Sequence, residues 1–506
     1  MRFPASTAFL LLGAVLAAPL VHAAVERAVV DHAYVRTLAE QRARTAYRAD
    51  RGQIPAYFRE MTYDDYRRIR FLPETALWYR DGLRFRTEFF HAGYLFRKSV
   101  RMHEFTPTHV QPVPFSTKSF DYQDLQVPFF SRWGLGYAGL KVLHPLNQPE
   151  KWDELVSFIG ASYFRALGRG QRYGISARGL ALNSGGPAAE EFPEFTEFWL
   201  GKPEPDSDVI TLHALLDGPS VSGAYTFVFT PGDETLVDVT ATLFFRQGVD
   251  VPGLAPMTSM FWFGEGSPTR HGDFRPEVHD SDGLLIAPDA ENRLWRPLRN
   301  PGGVALTDFA APALAGFGLM QRDRDFRSYE DIEARYELRP SLWMEPVGTW
   351  PEGKVRLVEL HARDEYHDNI VAFWTPTQPL PVGQPLELAW KLRWTRSATL
   401  GGPPGWVRAT RQTVQLGEPR VTKLVVDFEI PGDAQPGPDD EVTADVSLPP
   451  GVTLRRHQVM LNDGDLSRRL ILHVAAAPEI HTAEVRARLM ARGRPLTETW
   501  VYPWTP

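Results

Sequence analysis

The sequence predicts a mainly β protein, with a large N-terminal β-sandwich followed by a smaller immunoglobulin-like β-sandwich. Three observations carry this expectation. From about Trp78 onward, short runs rich in aromatic and β-branched residues alternate with Gly, Pro, Asn and Asp, the pattern of antiparallel strands and turns. The 43 prolines and 40 glycines are spread along the chain, which keeps helices short and turns frequent and argues against alternating βαβ units. Three prolines between Thr375 and Pro381 stiffen the chain between two strand-rich regions.

Taken in order, the chain opens with Arg2, an apolar run from Ala8 to Leu20 and the small-residue site Val21-His22-Ala23. This predicts a signal peptide over 1–23, cleaved after Ala23, and hence export. A membrane anchor needs about 20 apolar residues, and this run is shorter and broken by Pro19. No later stretch is apolar enough to span a bilayer, so no membrane insertion is expected. Val25 to Arg51 has helical spacing, and Thr62-Tyr63-Asp64-Asp65-Tyr66 opens a second short helix with acidic residues in its first turn. Leu83 to Phe90 and Ala224 to Phe229 read as strands. The large sandwich is expected over 24–376, a linker over 377–385 and the immunoglobulin-like sandwich over 386–506. In the last, Leu386 to Trp394 and Val421 to Phe428 alternate apolar and polar residues as half-buried strands do.

Composition narrows the chemistry. A net charge of -7, with no basic block, excludes a nucleic-acid backbone as partner. With no cysteine, thiolate catalysis, disulfides and Cys-based metal sites are excluded. Gly134-Leu135-Gly136-Tyr137-Ala138-Gly139 matches G-x-G-x-x-G but leads into a strand, not the helix that would receive a pyrophosphate. Asp280-Ser281-Asp282-Gly283 lacks the ligand register of a calcium loop and reads as a turn. His361 and His367 have no ligand partner at a recognisable interval, and no G-x-S-x-G elbow is present. No metal and no cofactor are expected.

Two segments set carboxylates among aromatics and arginines. They are Phe274-Arg275-Pro276-Glu277-Val278-His279-Asp280-Ser281-Asp282 and Arg363-Asp364-Glu365-Tyr366-His367-Asp368-Asn369. Aromatic faces stack on sugar rings, Arg and Asp bind hydroxyls, and a carboxyl pair supplies general acid and base. Spacing alone leaves open whether these segments form a site or two solvated loops.

Phe158-Ile159-Gly160-Ala161-Ser162-Tyr163-Phe164-Arg165-Ala166-Leu167-Gly168, continuing from Gln171 to Gly179, resembles the signature of the periplasmic glucan biosynthesis protein G and D family. The similarity extends through Glu191-Phe192-Pro193, Leu215 to Val221, Met257 to Phe261, Trp295 to Leu298, Gln321 to Phe326, Leu338 to Ser341 and Asp368 to Trp374. It covers essentially the whole mature chain. The resemblance implies a carbohydrate-active, galactose-mutarotase-like sandwich bearing a glucan cleft, joined to the immunoglobulin-like unit. It also implies action in the periplasm on glucans with a β-1,2-linked backbone. D-like members are inverting β-1,2-glucanases with two aspartates, and by motif Asp368 matches the general acid and Asp280 the general base. Asp282 and Glu277 are rival bases, and Asp364 and Glu365 rival acids. Tyr366, Trp262, Trp295, Arg275, Arg296 and Arg339 are candidates for sugar contacts. D-like members carry a twin-arginine leader, whereas the single Arg2 here is similar to G-type members. Three functions stay open: a β-1,2-glucan hydrolase, an inverting transglycosylase making cyclic or branched glucan, and a non-catalytic scaffold for glucan leaving an inner-membrane synthase.

Overall fold

A computed structural model describes residues 29–49, 54–267, 272–437 and 439–506. The expected leader and its cleavage after Ala23 lie outside the described residues. The chain is mainly β, as its sequence predicts. The first helix, His32–Ala43, is shorter than the helical pattern, and its start is set by Asp31, whose carboxylate accepts the Tyr34 N–H at 2.8 Å. Its buried Val35 and Ala39 pack on Trp199, Leu215, Ala224 and Phe244, so the helix covers the outer face of a sheet. Thr62 caps the helical turn Tyr63–Tyr66 by accepting the Asp65 N–H at 3.2 Å.

Two sheets form the main sandwich. The smaller has 10 strands: nine run from Arg86–His91 through Tyr137–Gln148, Lys151–Ile159, Tyr163–Ala166, Ser176–Arg178, Pro252–Ser259, Ile370–Pro376 and Gly353–Glu359 to Ala305–Ala310, and Ala181–Leu182 also pairs with Pro252–Ser259. The Gly134-to-Gly139 motif thus feeds a strand, as its sequence context predicts. The larger sheet faces it across an aromatic core. Phe158 meets Phe198 at 5.1 Å and Phe227 at 5.3 Å, and Phe164 meets Trp394 at 5.9 Å. Each ring fully removed from water contributes about 2–3 kcal/mol, and edge-to-face geometry adds about 0.5–1.5 kcal/mol per pair.

The strand Pro385–Thr395 corrects the expected organisation. It pairs with Thr235–Phe245 on one side and Ser341–Val347 on the other, in the middle of the larger sheet. Residues 386–395 are therefore hydrogen-bonded into the first sandwich, and the proline-rich stretch joins two of its strands. Alternation marks a half-buried strand but not which sheet receives it, and here Trp390 and Trp394 complete the aromatic core.

Beyond Thr395, a four-stranded sheet, Trp406–Gln415, Glu418–Glu429, Arg468–Ala476 and Val452–Leu461, forms one layer over a second core. The facing strands Val442–Ser447, Ala483–Ala491 and Thr499–Trp504 extend the larger sheet, because Leu294 and Trp295 pair in parallel with Thr499 and Trp500. That core takes Leu285, Trp295, Met320 and Trp343 from the first sandwich, so the two units share one sheet and one packed seam.

Candidate functional site

Strand alternation builds the floor of the site. Phe164, Ala177 and Met257 point into the sandwich core. Their neighbours Tyr163, Arg165, Ser176, Arg178 and Thr258 therefore line the opposite face of the smaller sheet, with Tyr163 paired to Arg178 and Thr258 to Ser176. Arg178 lies under the rings of Tyr163 and Phe192, each 4.9 Å away, and its guanidinium donates to Glu190 at 3.0 Å.

One three-residue segment positions both predicted catalytic aspartates on this face. The Asp280 N–H donates to the Met260 carbonyl at 2.8 Å, and the Asn369 N–H to the Ser259 carbonyl at 3.1 Å. The Asn369 side chain completes the splint, its Oδ1 accepting the Phe261 N–H at 2.8 Å and its Nδ2 donating to the Phe261 and Leu360 carbonyls at 3.0 Å. The Ser259 and Ser281 hydroxyls, 2.8 Å apart, tie the same segment to the chain beyond Asp280. Two residues remote in sequence are thus fixed through buried hydrogen bonds, which hold geometry better than a solvated loop does.

The two carboxyls have unlike surroundings. Asp280 is buried and ion-paired to Arg339. Burial raises its pKa, against the pull of Arg339, His279 and Arg165. Asp368 is reached by solvent, yet the surrounding protein lifts its carboxyl to about 6, first by desolvation and then by the charge of Asp280, with Arg165, Arg339 and His367 opposing. The mutual influence places both in one electrostatic neighbourhood. With an arginine bonded to Asp280, that carboxyl ionises first and the remaining proton stays on Asp368.

The rival acids and bases are otherwise engaged. Asp364 accepts from His367 at 2.7 Å, and that hydrogen bond holds its carboxyl below the usual range, the reverse of what an acid needs. Glu365 receives Arg275 at 2.6 Å and the Tyr336 hydroxyl. Asp282 accepts the backbone N–H groups of Arg322 at 2.7 Å and Asp323 at 3.2 Å, and Glu277 accepts from His279 at 2.8 Å.

Among the expected sugar contacts, Tyr366 is 84% exposed beside Asp368 and offers a free ring face. Trp262 lines a cavity of about 520 Å³ between the first sandwich and the C-terminal layer, together with Glu265, Arg299, Arg408 and Tyr502. The other four are engaged within the protein. Trp295 lines the same cavity but is 4% exposed: its ring lies where a Cβ on Gly283 would fall within 2.1 Å of it, and the Arg322 guanidinium sits 3.6 Å over the ring. Arg296 is 1% exposed and donates to Glu359 at 2.8 Å inside the core. Arg275 is locked among Asp273, Asp331 and Glu365 at 2.6–2.9 Å, and it holds loops together instead of facing solvent. Arg339, stacked on Tyr336 at 4.1 Å, serves Asp280. Sequence reasoning missed Tyr163, Arg165 and Arg178 as residues of this sheet face, although the alternation Tyr163-Phe164-Arg165-Ala166 carries the signal.

A second acidic group, Glu265, Asp282 and Asp323, is half-buried along the cavity that Trp262 lines. Glu265 is raised to about 7 by burial and by Glu277, and burial also raises Asp282 and Asp323. Burial works against a charged His279, but Glu277, Asp282 and Asp323 outweigh it and raise the ring to about 9. Ligand atoms of Glu277, His279 and Asp323 come within 4.8 Å of one another. The two His279 nitrogens face Gln321 Oε1 and the Glu277 carboxylate, each at 2.8 Å.

This charge arrangement sets the pH dependence of stability. Buried His91 and His213, each lowered to about 4 by desolvation, bind fewer protons folded than unfolded, so stability rises from pH 4 to 6.5. Glu265 and His279 bind more protons folded than unfolded, so their contribution is complete below their unfolded values and is lost as pH climbs through about 7 and about 9. The melting temperature is expected to fall as the pH climbs from 7 toward 9, where the His279 contribution is lost. Glu265→Gln keeps an acceptor for the Thr410 N–H, now 2.8 Å from the carboxylate. It is expected to stabilise the protein at pH 8 by about 2 kcal/mol, read by thermal melts, and an unchanged or lower melting point there counts against the buried-acid account.

The chain is similar in sequence to known proteins over nearly its whole length. The family description "Periplasmic glucan biosynthesis protein, MdoG" matches residues 30–504. Glucans biosynthesis protein G of Pseudomonas paraeruginosa (strain DSM 24068 / PA7) is 41% identical over 482 residues, 92% of this chain and 91% of that one. The protein of the same name from Rhodopseudomonas palustris (strain BisA53) is 40% identical over 479 residues, 94% of each chain. That from Vibrio cholerae serotype O1 (strain ATCC 39541 / Classical Ogawa 395 / O395) is 41% identical over 481 residues, 94% of this chain and 87% of its own. With the match running nearly from end to end, the chain belongs to the periplasmic glucan biosynthesis protein family, MdoG.

Proposed function

We propose that the protein is exported to the periplasm, where it acts on the β-1,2-linked glucan backbone as an inverting glucanase, with Asp368 as general acid and Asp280 as general base. The observation that supports this is the unlike pair of carboxyls held by Ser259–Phe261: one exposed and protonated up to about 6, the other buried and tied to an arginine. The name shared by the relatives, glucans biosynthesis protein G, supports a glucan as substrate. Asp368 protonates the glycosidic oxygen as the bond to the anomeric carbon breaks. Asp280 takes a proton from the attacking water, directly or through intervening hydroxyls, so no covalent sugar intermediate forms. Arg165 and Arg339 hold negative charge in the cleft, and the open face of Tyr366 stacks on a sugar ring. A membrane glucan synthase would supply the nascent chain.

Incubation of the mature protein with linear β-1,2-glucan tests this reading, with products followed by chromatography and NMR. Shorter chains released first as the α-anomer are expected. A non-reducing cyclic product would instead assign transfer to a sugar hydroxyl. Unchanged glucan despite binding would leave a scaffold for glucan assembly.

A further inference from the structure

His279, the residue before the proposed base, is fully buried and takes no part in the mechanism above. Its hydrogen bonds define its protonation. The Gln321 amide nitrogen donates to two carbonyls, His279 at 2.8 Å and Tyr336 at 3.3 Å, which fixes the amide orientation. The Gln321 Oε1 atom therefore faces His279 Nδ1 at 2.8 Å as an acceptor, and Nδ1 must carry a proton. On the other side, Nε2 lies 2.8 Å from the Glu277 carboxylate, to which it donates when that carboxylate is ionised. With both nitrogens donating the ring is an imidazolium, the state that Glu277, Asp282 and Asp323 favour. Its plane stacks on Phe261 at 5.4 Å and 16°, within the segment that holds both aspartates, and Tyr329 packs on it edge-on at 5.2 Å.

We propose that His279 is a positioning residue, charged at acidic and neutral pH, which keeps Asp280 ionised and thereby fixes Asp280 as base and Asp368 as acid. The charged and titratable groups around it are Glu277, Asp280 and Asp282 on its own segment, Glu265 from the segment after Phe261, and Asp323 and Tyr329 from the segment after Met320. All but Tyr329 are carboxyls, so they stabilise a cation and would repel one another without it. Arg339 is bonded to Asp280, and it and His279 both favour the charged form of that carboxyl.

The kinetic part of this inference rests on the glucanase reading; the charge state does not. In 15N-histidine-labelled wild-type protein, a doubly protonated imidazole signal is expected to persist above pH 8, after the exposed histidines have titrated. In 13C-aspartate-labelled protein, His279→Gln is expected to raise the titration midpoint of Asp280. The same variant should move the acidic limb of the turnover profile to higher pH, losing about tenfold near pH 5 and recovering as the pH rises, with KM unchanged. A merely structural role would lower turnover by the same factor at every pH. A wild-type ring that titrates near 6.5 overturns the inference, as does an Asp280 midpoint that stays put in the variant. If the variant does not fold, the wild-type nitrogen spectrum still decides the charge. If no glucan is cleaved but both NMR results hold, the glucanase reading fails and the inference stands.

Discussion

Asp368→Asn is expected to lower glucan cleavage by about 10³-fold or more while leaving glucan affinity within a few fold. The carboxamide has nearly the shape of the acid and can hydrogen-bond a sugar oxygen, so binding is retained. It has no proton to give the leaving oxygen, so the interaction made only in the transition state is lost. The effect should appear in kcat with KM nearly constant, measured with linear β-1,2-glucan and checked by calorimetry. The wild-type profile adds a second readout. On the proposed assignment Asp368 acts in its protonated form and is held at about 6, so kcat/KM should fall as pH rises through that value. Asp280→Asn should be as severe, but it should remove the acidic limb instead. Asp364→Asn serves as the control, since Asp364 is already an ionised turn residue, and should change turnover less than threefold. An Asp368→Asn protein that cleaves within tenfold of wild type would remove Asp368 from the acid role. A variant that no longer binds would mean that Asp368 holds substrate instead of protonating it.

The fold class was legible because strands, turns and their spacing are local properties, and Ala224 to Phe229 and Val421 to Phe428 both lie in strands. What escaped was non-local. The alternation of Leu386 to Trp394 is the same whether that strand opens a second sandwich or completes the first, and only its partners decide. The site divides in the same way. Motif resemblance selected Asp280 and Asp368, and the structure brings them to one splint. Aromatic and basic residues near them in sequence gave no such assurance. Trp295 and Arg296 point from one strand to opposite faces, one into the seam with the C-terminal layer and the other onto Glu359. A tryptophan or arginine that packs a core is indistinguishable by type from one that holds a sugar. Tyr163 and Arg165 come from a strand far in sequence from either acidic segment, so only the folded sheet shows that they lie near Asp368.

The seam between the two units offers the largest expected loss of stability. Arg322 and Glu498 form a bidentate pair, Nη1 to Oε1 at 2.6 Å and Nη2 to Oε2 at 3.0 Å, with each side chain 3% exposed. The guanidinium also donates to the carbonyls of Ala398 at 2.9 Å and Val407 at 3.1 Å, and Glu498 accepts the Val407 N–H at 2.8 Å. Removing either partner alone leaves a desolvated charge with nothing to compensate it. Glu498→Ala and Arg322→Met are each expected to cost about 3–5 kcal/mol. The double variant should lose less than the two singles together, because the charge left by one is removed by the other. Lys98→Met, at the exposed pair with Glu194, provides the contrast and should cost less than about 1 kcal/mol. Urea unfolding of the four proteins measures all of these. Additive losses in the double variant would mean that the pair is not energetically coupled. The effect should also reach the cleft. The Arg322 N–H donates to Asp282 two residues from Asp280, and the neighbouring Gln321 holds His279. Glu498→Ala is therefore expected to lower kcat under conditions where the protein is still folded, which links the C-terminal layer to the chemistry through the segment after Met320.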